Sequence, residues 1–358
     1  MLKRLQVKNF TVFAEANFEF GPGLNVVVGT NGTGKSHVLK LGYAVEVVRE
    51  QVKHGAAVAG TPALANEETW GFHLSRCLPA LFQVSGLGPL VSFGPADRTA
   101  TVEVVFSDEE IEESVQFELD GSSQSLRIVG GREAQGATVP AVEPVFIPAK
   151  EILTLSYLTD IDKQYQAPVE LNFLRLLAQL RKLPLRNSAA PDALNALTHE
   201  LGGNVVRENE RFYLVRNDGQ RLEMNMVAEG LRKFGTLQKL LANGSLTADT
   251  TLFWDEPEAN LNPALLKKLA AVLAGMARQG FQIILATHSL FLLKQLHILS
   301  RQPAAQPLPV RYFGLNAQPG GPTHVSTTDD FEELPDVVAL DEELAQAGEF
   351  LDVLNGTV

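Results

Sequence analysis

The chain has 358 residues, of which 45% are hydrophobic and 20% are charged, and this composition is typical of a globular protein with one large domain or two modest ones. No apolar run approaches the roughly 18 residues of a membrane span, and the start, "MLKRLQVKNF", alternates like a strand rather than a secretion signal. The net charge of −12 argues against a general nucleic-acid coat, and the one cysteine, Cys77, excludes an internal disulfide and fits a reducing, cytoplasmic setting.

The negative charge is concentrated at the end of the chain. After Arg311 there is no Lys or Arg, while Asp and Glu residues between 329 and 352 supply −10 of the −12. We interpret this tail as a solvated acidic surface, with a protein-docking strip as the alternative. The nearly neutral remainder is compatible with a local basic groove. For Cys77 we expect a buried, inert thiol.

A strand, a glycine-rich turn and a helix are predicted in succession by "LNVVVGTNGTGKSHVLKLGYAV". Gly29, Gly34, Lys35 and Ser36 satisfy the spacing G-x-x-x-x-G-K-[ST] in the context that a phosphate-binding loop requires, which disfavours an ordinary Gly-rich turn. Backbone amides would surround a phosphate, Lys35 would neutralise the β- and γ-phosphates, and the Ser36 hydroxyl would hold Mg²⁺. The predicted nucleotide-binding residues here are Asn31, Gly32, Thr33, Gly34, Lys35, Ser36 and His37.

The middle of the chain predicts β-rich segments around a helical one. Residues 51–100 are expected to be loop with a short helix, and the alternating residues 101–129 predict β-hairpins. Residues 151–203 are predicted to be mainly helical, with breaks at Pro184 and Pro191, and residues 205–227 to form another hairpin. The bases from Arg175 to Arg221 could contact a phosphate backbone, although a mixed solvated face is favoured.

The segment "TLFWDEPEANLNP" places two acids directly after a buried strand. Asp255, which ends the strand, would complete the Mg²⁺ shell directly or through water. Glu256 would lie beyond the metal, where it could polarise the water that attacks the γ-phosphate. A helix should follow, because Asn262 is a good N-cap, Pro263 fits the first turn, and Gly280 fits the end.

A third strand end is predicted in "FQIILATHSLFLL". His288 would lie at the carboxyl edge of a parallel sheet, where open α/β folds bind ligands, and could contact the γ-phosphate. The alternative is a surface histidine at a strand end. Further along, "VRYFGLN" and "THVSTT" predict two late strands, and residues 337–354 a closing helix.

Together these motifs resemble the ATP-binding-cassette (ABC) superfamily of ATPase heads, and most closely the AAA-family ATP-binding proteins grouped with the OLD, RecF and SMC/Rad50 heads. The resemblance is carried by "VKNFTVFAEANFEFGPGLNVVVGTNGTGKS", by "FWDEPEANLNP" (the Walker B segment, with Asn262 where histidine is commoner) and by "THS" (the switch-histidine strand). It implies an α/β P-loop NTPase fold with a mixed central sheet, an antiparallel β subdomain and a helical lobe. It also implies ATP and Mg²⁺ as ligands and a homodimer that forms with ATP.

The family places a signature helix before the Walker B strand, and "NMVAEGLRKFGTLQKLLANG" has that position. Two such heads stack head to tail, so the signature helix of one, here with Glu229 and Gly230, would cap the γ-phosphate in the other. Ala228 replaces the usual serine, so Gly230 and Arg232 or Lys233 would have to suffice. A plain amphipathic helix is the alternative.

A second departure from the family lies at the Q-loop, where glutamine is expected. "PVFIPAKEIL" offers Lys150 instead, which is a weak candidate beside an ordinary exposed lysine. The implied organisation is a single head over residues 1–358. Its parts are residues 1–150 (phosphate loop and antiparallel sheet), 151–226 (helical lobe and hairpin), 227–306 (signature helix, Walker B and switch histidine) and 307–358 (late strands and acidic helix).

The favoured function is an ATP-hydrolysing switch in a nucleic-acid-related process, either DNA repair or defence against phage. DNA or RNA is a candidate ligand. No nuclease pattern is visible in the chain, so a nuclease or other effector would be a separate protein. The alternatives are a nucleotide sensor without hydrolysis and, less favoured, the ATPase subunit of a membrane transporter; a membrane partner is not expected.

Overall fold

The structure is a computed structural model that describes residues 1–59, 67–91, 99–108, 111–122, 125–132, 142–158, 161, 169–186, 188–303, 306–335 and 338–355. The strands are β1 (Leu2–Phe10), β2 (Phe13–Glu19), β3 (Leu24–Gly29), β4 (Thr99–Asp108), β5 (Ile111–Asp120), β6 (Ser125–Arg132), β7 (Val145–Ile147), β8 (Gly203–Glu208), β9 (Arg211–Arg216), β10 (Arg221–Glu223), β11 (Leu252–Asp255), β12 (Ile283–Thr287), β13 (Val310–Ala317) and β14 (Thr323–Thr328). The helices are α1 (Lys35–Ala59), α2 (Glu67–Phe82), α3 (Leu171–Leu180), α4 (Pro191–Leu201), α5 (Glu229–Ala242), α6 (Pro263–Arg278), α7 (Leu290–Arg301) and α8 (Val338–Asn355).

The central sheet has the strand order β14-β13-β3-β12-β11-β7. All neighbours in it are parallel except β14, which is antiparallel to β13, so the sheet is mixed as predicted. The inner strands are continuous apolar runs because both faces of a parallel sheet are covered. The carboxyl ends of β3, β11 and β12 therefore lie at one edge, and this edge holds the candidate site.

Two hydrophobic cores lie on opposite faces of this sheet, and the strands supply them alternately. Val27 and Phe253 belong to the core shared with β1, β4, α1 and α2, whereas Val26, Val28 and Trp254 belong to the core shared with α5, α6 and α7. Each strand is thereby held from both sides. The last residue of each strand is therefore held in place, which favours a site with fixed geometry at this edge of the sheet.

The antiparallel sheet has the order β2-β1-β4-β5-β6, and a smaller one has the order β10-β9-β8. The hairpins predicted over residues 101–129 and 205–227 are thus confirmed, as are the late strands, the closing helix and the helix capped by Asn262, whose side chain accepts from the Leu265 amide at 2.9 Å. Among the described residues, none of the helices combines the length and apolar character needed to cross a membrane.

Two secondary-structure predictions are wrong in part. Residues 151–157 form turns rather than helix, because the Glu151 carboxylate accepts hydrogen bonds from the Leu153 and Thr154 amides and from the Thr154 hydroxyl. Where loop with a short helix was expected, α2 extends over 16 residues. Its apolar residues at helical spacing, Trp70, Leu74, Cys77, Leu78 and Leu81, are buried, and this periodicity was the missed signal.

The basic residues between 175 and 221 are largely engaged by acids of the chain itself. Arg207 pairs with Glu210, Arg221 with Glu208 at 2.5 Å, and Arg211 with Glu223 at 3.3 Å. Arg175 pairs with Glu143 at 2.9 Å. This is the pattern of a mixed charged face, and it argues against a continuous basic groove at these side chains.

Candidate functional site

The phosphate loop connects β3 to α1 by way of residues 30–34. Gly34 has a φ of +93°, and a Cβ there would lie 2.6 Å from Val12 Cγ2 and 2.8 Å from Phe13 Cζ, so only glycine fits. Thr33 is buried, and its hydroxyl donates to the Thr30 carbonyl at 2.9 Å. Asn31 and Gly32 are exposed at the tip of the loop. The loop is therefore anchored at its base and open at its tip.

Lys35 is the first residue of α1 and lies inside the loop. Its Nζ donates to the carbonyls of Gly29 at 2.8 Å and Thr30 at 3.0 Å, and the residue is only 6% exposed. Burial lowers the pKa of Lys35, and the negative charges of Glu256, Asp255 and Glu258 oppose this change. The ammonium is thus held close to both acids of the Walker B segment.

Ser36 and Asp255 face each other across the site. Burial raises the pKa of Asp255, and the nearby Ser36 hydroxyl partly offsets the rise because it favours the charged carboxylate. Asp255 Oδ1 is buried without a hydrogen-bond partner. A hydroxyl beside a carboxylate with an unused oxygen is the donor set that a Mg²⁺ ion bound to a nucleotide takes from a protein, so these residues fit that ion.

Within the described residues, no group of three or more His, Cys, Asp or Glu side chains is arranged to hold a metal ion. A Mg²⁺ ion at Ser36 and Asp255 would accordingly draw its remaining ligands from phosphate oxygens and water. This is the usual arrangement for Mg²⁺, which keeps several waters and needs few protein ligands.

Glu256 follows Asp255 in an unusual backbone conformation. Its φ is +46°, in the left-handed region that costs a non-glycine residue about 1–2 kcal/mol, and its amide donates to the Ala286 carbonyl at 3.0 Å. The β11–β12 pairing ends one residue earlier, where Asp255 pairs with Ala286. The chain therefore leaves the sheet abruptly at the residue predicted to be catalytic.

His288 lies beside Glu256, as the parallel-edge argument predicts. Its Nδ1 is 3.4 Å from Glu256 Oε1 and 3.6 Å from Glu258 Oε1. The ring is half exposed, whereas the strand residue before it, Thr287, is fully buried. The structure thus brings together Lys35, Ser36, Asp255, Glu256 and His288 at one edge of the central sheet.

Glu258 was missed by the sequence reading. It is only 9% exposed, and its Oε1 accepts from the Thr287 hydroxyl at 2.7 Å and from the His288 amide at 3.1 Å. Its Oε2 is buried without a hydrogen-bond partner. The available signal was an acid two residues after Glu256, but its partners lie 29 and 30 residues further along the chain.

The signature residues contact the turn after β11 in their own chain. Glu229 Oε1 accepts from Asn260 Nδ2 at 2.8 Å, and a Cβ on Gly230 would lie 2.9 Å from Leu261 Cδ2 and 3.0 Å from the Asn260 carbonyl oxygen. Ala228 precedes the helix and gives it no side-chain cap. Glu229 and Ala228 are exposed, so the start of α5 faces outward.

The two basic residues that follow point into their own chain. Arg232 donates to the carbonyls of Val227 at 2.7 Å and Asn225 at 3.1 Å. Lys233 is 2% exposed and donates to the Glu256 carbonyl at 3.0 Å. The expectation that either of them substitutes for the missing serine hydroxyl in a partner's site is therefore not supported by their contacts.

His37 and Lys150 lie at the margins of the site. The His37 amide donates to the Gly34 carbonyl at 3.0 Å, and its ring centroid lies 5.6 Å from that of Phe82. Burial lowers the pKa of His37. The ring packs on Phe82 while its Nδ1 is buried without a hydrogen-bond partner, and nucleotide binding by His37 stays a prediction. Lys150 is exposed and lines a shallow cavity with Arg232 and Asn260.

Two family models and one curated relative match parts of this chain. Residues 142–294 match a family model described as "AAA domain, putative AbiEii toxin, Type IV TA system", and residues 4–41 match one described as "AAA domain". A 40-residue segment is 45% identical to the DNA double-strand break repair Rad50 ATPase of Archaeoglobus fulgidus. That segment covers 11% of this chain and spans 4% of the length of the relative.

Solved structures share the fold over most of the chain. The SMC head domain from Thermotoga maritima is 14% identical with a TM-score of 0.50, covering 91% of this chain and 98% of that one. An SMC head bound to the C-terminal winged-helix domain of ScpA is 13% identical with a TM-score of 0.55, covering 92% and 98%. The chain therefore has the fold of these SMC heads, and both family models that it matches are AAA domains.

Proposed function

We propose that this head hydrolyses ATP with Mg²⁺, that two copies close head to tail around the nucleotide, and that the resulting switch serves a nucleic-acid-related process such as DNA repair or defence against phage. The observation that carries the proposal is the meeting of Lys35, Asp255, Glu256 and His288 at one sheet edge. A phosphate-loop lysine, a metal-binding carboxylate, a general base and a γ-phosphate contact are the parts that this chemistry requires.

The residues take separate roles in this proposal. Lys35 exchanges its bonds to the Gly29 and Thr30 carbonyls for the β- and γ-phosphates, while Ser36 and Asp255 hold Mg²⁺. The ion supplies charge neutralisation on the phosphates when bound. Glu256 accepts a hydrogen bond from the attacking water, and His288 contacts the γ-phosphate and registers its loss.

Closure by a second copy is supported by the surface at the start of α5. The first turn of a helix presents amides and the positive end of the helix dipole, which favour an anion. Here that turn begins at Glu229, faces outward and lacks a side-chain cap from Ala228. The other side of this turn packs through Gly230 on the turn after β11 of its own chain. We therefore expect the exposed amides to bind the nucleotide of a partner.

The wider role rests on relatives. The similar proteins include a Rad50 ATPase of DNA double-strand break repair and an SMC head bound to a domain of ScpA. We extend these to the present chain only as a class of process, with DNA or RNA and a separate protein, such as a nuclease, as partners. The ion pairs of the basic residues between 175 and 221 favour binding elsewhere on the head.

Dimer trapping tests the proposal. Glu256→Gln protein with saturating ATP and Mg²⁺ should move to about twice its monomer mass in analytical ultracentrifugation, because binding is kept while hydrolysis is blocked. Lys35→Ala, the matched control, should stay monomeric. Persistently monomeric Glu256→Gln protein with ATP bound would exclude head-to-tail closure. Phosphate release that is lost in Glu256→Gln separates the switch from a nucleotide sensor.

A further inference from the structure

A buried lysine connects the signature helix α5 to the turn of residues 256–258, which we call the catalytic turn. Lys233, on α5, donates from Nζ to the carbonyl of Glu256 at 3.0 Å and to that of Pro257 at 3.4 Å, and it is 2% exposed. The first of these carbonyls belongs to the residue in left-handed conformation. Lys233 thus fixes the peptide that carries the predicted general base, although it lies 23 residues earlier in the chain.

A buried carboxylate connects the same turn to the end of β12, the strand that precedes His288. Glu258 accepts hydrogen bonds from the Thr287 hydroxyl and the His288 amide, and it exerts the largest favourable charge interaction on Lys233. The turn of residues 256–258 is therefore held on one side by α5 and on the other by the end of β12. A displacement of α5 would be transmitted to Glu256 through Lys233 and to His288 through Glu258.

We propose that Lys233 and Glu258 are positioning residues, two buried side chains of opposite charge that connect α5 to the active site of the same head. Through this couple, the position of α5 on the partner determines the positions of Glu256 and His288. The inference rests on the proposed head-to-tail closure. In a closed pair, α5 of one head would lie on the nucleotide of the other. The catalytic residues of each head would then be aligned only when its own signature helix contacts the partner. The two sites would therefore hydrolyse ATP together.

A gain in stability does not explain why Lys233 and Glu258 are buried here. Lys233 bonds to backbone carbonyls rather than to the Glu258 carboxylate, and burying two opposite charges that attract each other only through space contributes little net stability, because both are taken out of water. The arrangement does have a geometric result, since a charge fixed on two successive carbonyls leaves the turn with one conformation. A rigid link of this kind is what is required to carry a small helix movement into an active site.

Mixed heads test the coupling. A low, fixed concentration of head that retains Glu256, the competent head, is mixed with a large excess of Glu256→Gln protein, the donor head, which binds ATP but does not hydrolyse it. Turnover then occurs in the competent head under the signature helix of the donor. Lys233→Met is placed in the competent head, in the donor head, or in both, and kcat and KM for ATP are measured.

We expect Lys233→Met to lower kcat about tenfold in either placement, because Lys233 serves both its own catalytic turn and its own signature helix. The KM for ATP should change by less than about twofold, since Lys233 contacts the turn after β11 rather than the phosphate loop. Lys239→Met is the matched control: Lys239 is another buried lysine of α5, with Arg207 as its charged neighbour, and its replacement should leave kcat unchanged in both placements.

A loss in only one placement would overturn the coupling, because Lys233 would then support either the catalytic turn or the signature helix but not connect them. That outcome differs from failure of the proposed function, in which Glu256→Gln heads do not associate with ATP at all. If they associate and the effect of Lys233→Met depends on placement, closure stands and the coupling falls.

A double variant separates coupling from folding. Lys233→Met with Glu258→Gln removes both buried charges, while the amide oxygen can still accept from Thr287 and His288. The thermal midpoint should exceed that of either single variant, because no unpaired charge remains buried. Turnover should stay low, because the link from α5 to the carbonyls of Glu256 and Pro257 is still missing. Recovery of turnover together with stability would reduce the couple to a structural feature.

Discussion

The phosphate loop and the signature helix, the two elements that would face one nucleotide from opposite heads, are built differently. The phosphate loop is held by its own backbone: Lys35 bonds to Gly29 and Thr30, and Thr33 bonds to Thr30, all within a few residues. The start of α5 is held by a distant turn, through Glu229, Gly230 and Lys233. The loop can therefore form its binding surface by itself, whereas the position of the helix depends on the state of the catalytic turn.

The largest effect is expected for a change at the loop. Gly34→Ala would place a Cβ 2.6 Å from Val12 Cγ2 at a φ of +93°, so the loop would have to shift. We expect a loss of stability of about 3 kcal/mol and loss of measurable ATP binding, since the amides would no longer surround the phosphates. Isothermal titration with ATP and urea unfolding would check both. Unchanged ATP affinity would contradict a loop fixed by its own backbone.

The next prediction concerns the charge buried under the helix. Burial lowers the pKa of Lys233 to about 8, against the favourable charge of Glu258. The unfolded chain, with an ordinary lysine pKa, therefore binds more protons than the folded chain between pH 8 and about 10.5, so Lys233 costs stability below pH 8 and this cost is relieved as the pH rises.

The matched measurement compares the wild type with Lys233→Met. The difference in the free energy of unfolding should move in favour of the wild type by on the order of 2–3 kcal/mol between pH 7.5 and 10.5. Lysines elsewhere are common to both proteins and cancel. Urea unfolding at several pH values would measure the difference. A pH-independent difference would mean that Lys233 is not buried as a charge.

Gly230→Ala tests the signature helix, as Gly34→Ala tests the phosphate loop. Its Cβ would lie 2.9 Å from Leu261 Cδ2 and 3.0 Å from the Asn260 carbonyl, so α5 would move off the turn. We expect a loss of about 1–2 kcal/mol in stability, unchanged ATP binding by the monomer, and weaker trapping of the Glu256→Gln dimer. Sedimentation of the double variant measures this. A variant that binds ATP poorly as a monomer would show that the two elements are not independent.

The smallest effect is expected for Ala228→Ser, which restores the hydroxyl that the family carries. A serine in this position can accept from the amides of the first turn, and we expect a gain of about 0.5–1 kcal/mol in stability. If the partner's phosphate also receives this hydroxyl, the Glu256→Gln dimer should form at lower ATP. Thermal melting and the ATP dependence of sedimentation would measure the two effects.

The predictable part of the site is the part that depends on local sequence or on sheet topology. Lys35 and Ser36 follow from a motif whose spacing itself defines the loop, and Asp255 and His288 follow from the rule that parallel strands end at one edge. Glu258 and the actual contacts of Lys233, which the sequence suggested for a different role, could not be found in this way, because they arise from hydrogen bonds between segments 23 to 30 residues apart. The same holds for Gly230, whose neighbours in space are Asn260 and Leu261.

The placement of Cys77 has a practical consequence. It is 5% exposed on the inner face of α2, and burial raises its pKa to about 12, so the reactive thiolate is scarce at pH 8. We therefore expect the native thiol to react much more slowly with maleimide dyes than an exposed cysteine. A dye on a cysteine introduced near the start of α5 would mark one position, and the approach of two heads could be followed by energy transfer without altering the native thiol.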